Sequence, residues 1–80
     1  MSDDTVLQRI ERLVEQERAL ERSHAGSPAT EVQKALLQHI EVELDQCWDL
    51  LRQRRARRAA GENPNDATVR SETVVEHYLQ

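Results

Sequence analysis

Along the first third of the chain, Val6, Ile10, Leu13, Glu17, Leu20 and His24 follow one another at intervals of 4, 3, 4, 3 and 4 residues. Intervals of three and four return to one side of a helix, so the run predicts an amphipathic helix over about 3–24, with Glu17 as a polar interruption. Leu7 and Val14 widen the apolar stripe. Ser2, Asp3 and Asp4 are candidate caps for its first turn, where aspartates also suit the positive end of the helix dipole. The outer faces carry Glu11, Glu15, Arg18 and Arg22 and read as solvated.

The segment AGSPAT, residues 25–30, breaks this pattern. Gly26 can take the left-handed conformation that ends a helix, and Pro28 resists its continuation. Thr30 can cap the next helix, as can Ser27 with Pro28 at the first helical position. A break this short joins antiparallel neighbours.

Beyond it the pattern resumes. Val32 and Leu36 lead into Leu37, Ile40, Leu44, Cys47 and Leu51, the last five spaced 3, 4, 3 and 4, with Trp48 widening the face. No Gly or Pro interrupts 31–60, so the second predicted helix is about 45 Å long against about 30 Å for the first. The surplus length is expected to project, with only Ala56, Ala59 and Ala60 as apolar residues after Leu51. Gly61 is placed to stop this helix. ENPND reads as a turn within a loop over 61–70. A short helix over 71–79 would carry Val74, Val75, Tyr78 and Leu79 on one side. Propensity alone does not stabilise so short a helix, so docking on the hairpin is expected.

These elements define the expected fold class: an all-α single domain over 1–80, an antiparallel two-helix hairpin with a short C-terminal helical tail. Two amphipathic helices hide their apolar faces poorly alone, and pairing two hairpins into a four-helix bundle is the leading arrangement. The alternative is a monomer closed by its tail. The expected core or dimer contacts are Ile10, Leu13, Leu20, Leu37, Ile40, Leu44, Cys47, Trp48 and Leu51. Trp48 and Leu44 are expected in the main contact in both arrangements, with Trp48→Ala costing about 3–5 kcal/mol.

Composition adds constraints. Eighty residues that are 38% hydrophobic, with one Trp, one Tyr and no Phe, leave a small core. The single cysteine, Cys47, excludes an internal disulfide framework and fits a reducing compartment. The acidic, amphipathic start does not read as a secretion signal, and no stretch reads as a membrane span, so a cytoplasmic protein with no membrane partner is expected.

Charge raises the one pointed functional question. RQRRARR, residues 52–58, places Arg52, Arg54, Arg55, Arg57 and Arg58 together in a chain of formal net charge -4. Guanidiniums on a projecting helix can grip phosphates. The same cations favour a helix C-terminus and pair with carboxylates such as Asp45, Asp49 and Glu62. The acidic net charge and the lack of any zinc-finger spacing or aromatic–basic pattern weigh toward the structural or protein-binding role.

Other constellations are weaker. Glu41, Glu43, Asp45 and Asp49 make an acidic ridge that reads as a solvated helix face. His39, Glu43 and Cys47, spaced four and four, are ligand types near one another on a helix, yet no second cysteine or HExxH accompanies them. Cys47 falls in the apolar register, where a thiol behaves as a small hydrophobe. A catalytic Cys47 would need a base, an orienting group and a pocket. No catalytic residue, metal ligand or cofactor is therefore assigned.

The stretch VELDQCWDLLRQRRARRAAGENPNDATVR, residues 42–70, resembles a family of short actinobacterial proteins catalogued as domain of unknown function 2630. The resemblance runs end to end, through ERLVEQE at Glu11 to Glu17, the segment Glu41 to Arg58, the turn Gly61 to Pro64 and the tail Val74 to Gln80. The chain departs from it at Ser71 and Glu72, where prolines often stand. The resemblance implies a natural full-length protein in a bacterial cytoplasm and carries over no activity, ligand or catalytic residue. The expected function is thus a small non-catalytic helical protein that acts by self-association and protein–protein contacts, as a homodimer or with another protein. The alternative is a nucleic-acid-binding accessory protein that uses the arginine run.

Overall fold

A computed structural model describes residues 2–79, with side chains through residue 75. Helix α1 spans Asp3–Ser23, α2 spans Glu31–Ala59 and α3 spans Glu72–Leu79, with a short 3-10 turn at Pro64–Asp66. The described residues contain no strand. Tyr78 and Leu79, expected on the apolar side of the last helix, lie outside the described side chains.

Local chemistry sets each helix end. Ser2 caps α1, its hydroxyl accepting the Thr5 N–H at 3.1 Å, and Asp3 and Asp4 occupy the first turn. Gly26, at φ 83°, turns the chain away from α1. Thr30 and Gln33 then form a reciprocal capping box: the Gln33 N–H donates to the Thr30 hydroxyl at 3.1 Å, and the Thr30 N–H donates to Gln33 Oε1 at 2.8 Å. At the far end of α2, the Glu62 N–H donates to the Arg57 carbonyl at 2.8 Å and the Gly61 N–H to the Arg58 carbonyl at 3.1 Å. That pair of bonds is a Schellman motif, which requires the positive φ of 75° that Gly61 supplies.

The two long helices pack antiparallel. Val6, Ile10 and Leu13 of α1 meet Ile40, Cys47, Leu50 and Leu51 of α2 in one core, flanked by half-buried Leu7, Val14, Leu20, Leu44 and Ala67. Leu51 is 0% exposed and is the centre of the packing.

The surplus length of α2 does not project bare. After Gly61 the chain doubles back along α2, and the Gln53 side-chain amide donates to the Thr68 carbonyl at 2.8 Å. The Gln46 amide donates to the Arg70 carbonyl at 3.2 Å. Ser71 then opens α3: its hydroxyl accepts the Val74 N–H at 3.4 Å, and its carbonyl accepts the Val75 N–H at 3.1 Å. Ser71 thus caps the last helix at a position where prolines often stand in the resembling family. Val75, 1% exposed, anchors the tail to α2. The resulting Cα trace measures 50 × 25 × 15 Å.

Candidate interaction surface

The arginine run is the first place where structure and sequence part. Arg54, expected on an exposed end, is 5% exposed. Its Nε donates to Asp3 Oδ1 at 2.7 Å, and its Nη1 donates to Asn65 Oδ1 at 2.9 Å and to the Pro64 carbonyl at 3.3 Å. Arg58 grips the same carboxylate with both terminal nitrogens, at 2.9 Å and 2.5 Å. Arg57 lies 3.5 Å from Glu62. Two of the five guanidiniums, those of Arg54 and Arg58, therefore join the start of α1 to the end of α2, and Arg54 also holds the 3-10 turn, while Arg52 and Arg55 are exposed. The physical reason is the antiparallel hairpin, which returns the acidic first turn of α1 to the level of the basic last turns of α2. The two guanidiniums hold the Asp3 carboxyl well below the usual carboxylate range, hydrogen bonds from Arg58 contributing most and those from Arg54 next.

The acidic ridge, expected to be a solvated helix face, is not uniformly exposed. Asp49 is 4% exposed; it accepts from Gln53 Nε2 at 2.9 Å and pairs with Arg70 Nε at 3.5 Å. It is the point to which the returning tail is tied. Glu43 bridges His39, 2.9 Å away, and Arg9, 3.8 Å away. His39 and Glu43 thus meet, whereas Cys47 is buried in the core and burial pushes its thiol pKa up. No cluster of three side chains able to hold a metal occurs among the described residues.

A shallow groove of about 180 Å³ opens beside Cys47, between Val6, Arg9 and Arg12 of α1 and Glu43 and Leu50 of α2. It falls below the roughly 300 Å³ at which small-molecule sites begin.

The expected contact residues divide into three groups. Ile10, Leu13, Ile40, Cys47 and Leu51 are buried in the hairpin core, and Leu20, Leu37 and Leu44 are half-buried. Trp48 is 41% exposed. This corrects the expectation that Trp48 lies in the main contact of a single closed chain. It belongs to a second stripe, beside the one that faces α1. Leu37 stands three residues before Ile40, Leu44 three before Cys47 and Trp48 three before Leu51; Leu7 stands three before Ile10 and Val14 four after it. The same offset on two antiparallel helices falls on the same side of the hairpin. The groove residues have the opposite offset, and the tail lies on Gln46, Asp49 and Gln53. Val6, Leu50 and Val75 are core residues outside the expected contact set.

This arrangement is to be set beside known proteins. Residues 2–80 match a family described as protein of unknown function (DUF2630). The chain belongs to that family. Uncharacterized proteins of Mycobacterium bovis and of two Mycobacterium tuberculosis strains are each 48% identical over 79 residues, covering 96% of this chain and 90% of the relative. No solved structure matches the chain. The family and these relatives carry no assigned activity. Among the described residues, no helix is long and apolar enough to cross a membrane.

Proposed function

We propose that this protein is a non-catalytic helical interaction module that self-associates through the flank of its hairpin bearing Trp48. The observation that carries this is the 41% exposure of Trp48, the chain's one tryptophan, beside half-buried Leu37, Leu44, Leu7 and Val14. A large aromatic adjoining an apolar strip and flanked by charge has the composition of an interface core. Pairing two hairpins on this flank buries apolar surface that two amphipathic helices hide poorly alone.

The phosphate-binding alternative has less support. Arg54 and Arg58 already pair with Asp3, so binding nucleic acid through them would break contacts that close the hairpin. Light scattering after size exclusion at low and high salt separates the two. An apolar interface gives a mass near twice 9.3 kDa at both salts. A mass near 9.3 kDa, with retention of RNA or duplex DNA that falls steeply with salt, would replace this function with the alternative.

A further inference from the structure

The Trp48 flank is electrically lopsided in a way that complements itself. Glu41 and Arg55 stand seven residues before and seven after Trp48, and both are exposed. Seven residues are about two turns, so all three lie on one stripe of α2. Asp45 and Arg52, three before and four after, repeat the polarity. This stripe of α2 is therefore acidic ahead of Trp48 and basic behind it.

We infer that two copies pack with α2 antiparallel to the partner's α2, about a two-fold axis that passes close to Trp48. This rests on the self-association proposed above and adds its arrangement. Such an axis carries a position n residues before Trp48 onto the position n residues after it in the other chain. Glu41 of each chain then meets Arg55 of the partner, and the pair forms twice, as an isologous interface requires. Between these pairs, Trp48 packs near its own twin, and each Leu44 falls opposite the partner's Arg52, whose aliphatic stem can cover it. Charge at the rim fixes the register, while the apolar centre supplies the affinity.

The competing face-to-face stacking sets α2 over the partner's α1. Within one chain, the Arg9–Glu43 pair fixes the level of α1 against α2. At that level Glu41 would face Glu11, carboxylate against carboxylate. Like charges opposed across an interface disfavour that stacking.

A charge exchange tests the arrangement. Dissociation constants are measured by sedimentation equilibrium at low salt for the natural chain, Glu41→Arg, Arg55→Glu and the double variant, with helix content checked by circular dichroism. Each single substitution makes both symmetric pairs repulsive and weakens the dimer about tenfold or more; the double variant, with both pairs restored in reverse, returns to within about threefold of the natural chain. A dimer that neither single substitution weakens, or whose weakening the double variant does not relieve, overturns the antiparallel arrangement and leaves self-association standing. A natural chain that stays monomeric at every concentration overturns both.

Discussion

Asp3 and Arg54, 51 positions apart in sequence, meet at 2.7 Å between carboxylate oxygen and guanidinium Nε. Through this contact the first turn of α1 is held to the end of α2, and the 3-10 turn is drawn in by the other nitrogen of Arg54. Arg54→Ala removes the hub and leaves the Asn65 and Pro64 acceptors unmatched. Loss of charge-assisted hydrogen bonds at a buried guanidinium costs about 2–3 kcal/mol. For a domain of this size that lowers the melting temperature by about 10–20 °C. Arg55→Ala, at an exposed position of the same run, stays within about 0.5 kcal/mol of the natural monomer. Thermal denaturation of the two variants checks the contrast.

The same carboxylate predicts an acid dependence. Two guanidiniums depress the Asp3 pKa in the folded chain, so the unfolded chain binds a proton there first as pH falls. The contribution is complete above about pH 5 and is lost as pH drops below about 4, through the ordinary carboxylate value and down to the depressed one. Asp3→Asn is less stable than the natural chain at pH 7 and has a shallower loss of stability between about pH 4 and 2. Denaturant midpoints across that range give the two slopes.

Val75 and Val74 offer an internal comparison for the tail. Val75 is 1% exposed and Val74 is 47% exposed, on one short helix. Val75→Ala removes a buried methyl pair and costs about 1–2 kcal/mol, while Val74→Ala costs less than about 0.5 kcal/mol. Amide exchange adds a second readout: Val75→Ala exposes the backbone of residues 67–75 to faster exchange without opening α1. Equal effects of the two substitutions would contradict the docked tail.

Cys47 should be slow to react. The thiol is buried against the hairpin core, and burial raises its pKa, so the nucleophilic thiolate is scarce near neutral pH. A colourimetric disulfide reagent labels it slowly in the native protein and rapidly in denaturant. Fast native labelling would mean that the groove beside it opens.

The hairpin was legible in the sequence because its determinants are local. Intervals of three and four mark the core faces, and Gly26, Thr30 and Gly61 each act within a few residues of where they stand. The buried charges were not legible, because their partners lie far along the chain. Arg54 depends on Asp3, and Asp49 depends on Arg70, which the tail brings back. Trp48 illustrates a different limit. Leu44 and Trp48 form one stripe of α2, and Cys47 and Leu51 form the next. Periodicity shows that both are apolar, but only the packing of α1 decides which is covered.

Because Trp48 is the chain's one tryptophan, its fluorescence reports on the proposed interface without labelling. The most direct measurement is the Trp48 emission maximum followed through a dilution series, alongside the mass by light scattering. Self-association through this flank predicts a blue-shifted maximum in concentrated protein that moves to the red on dilution, as the mass falls from about twice 9.3 kDa to 9.3 kDa. A red-shifted maximum independent of concentration, at a constant mass of 9.3 kDa, would contradict it.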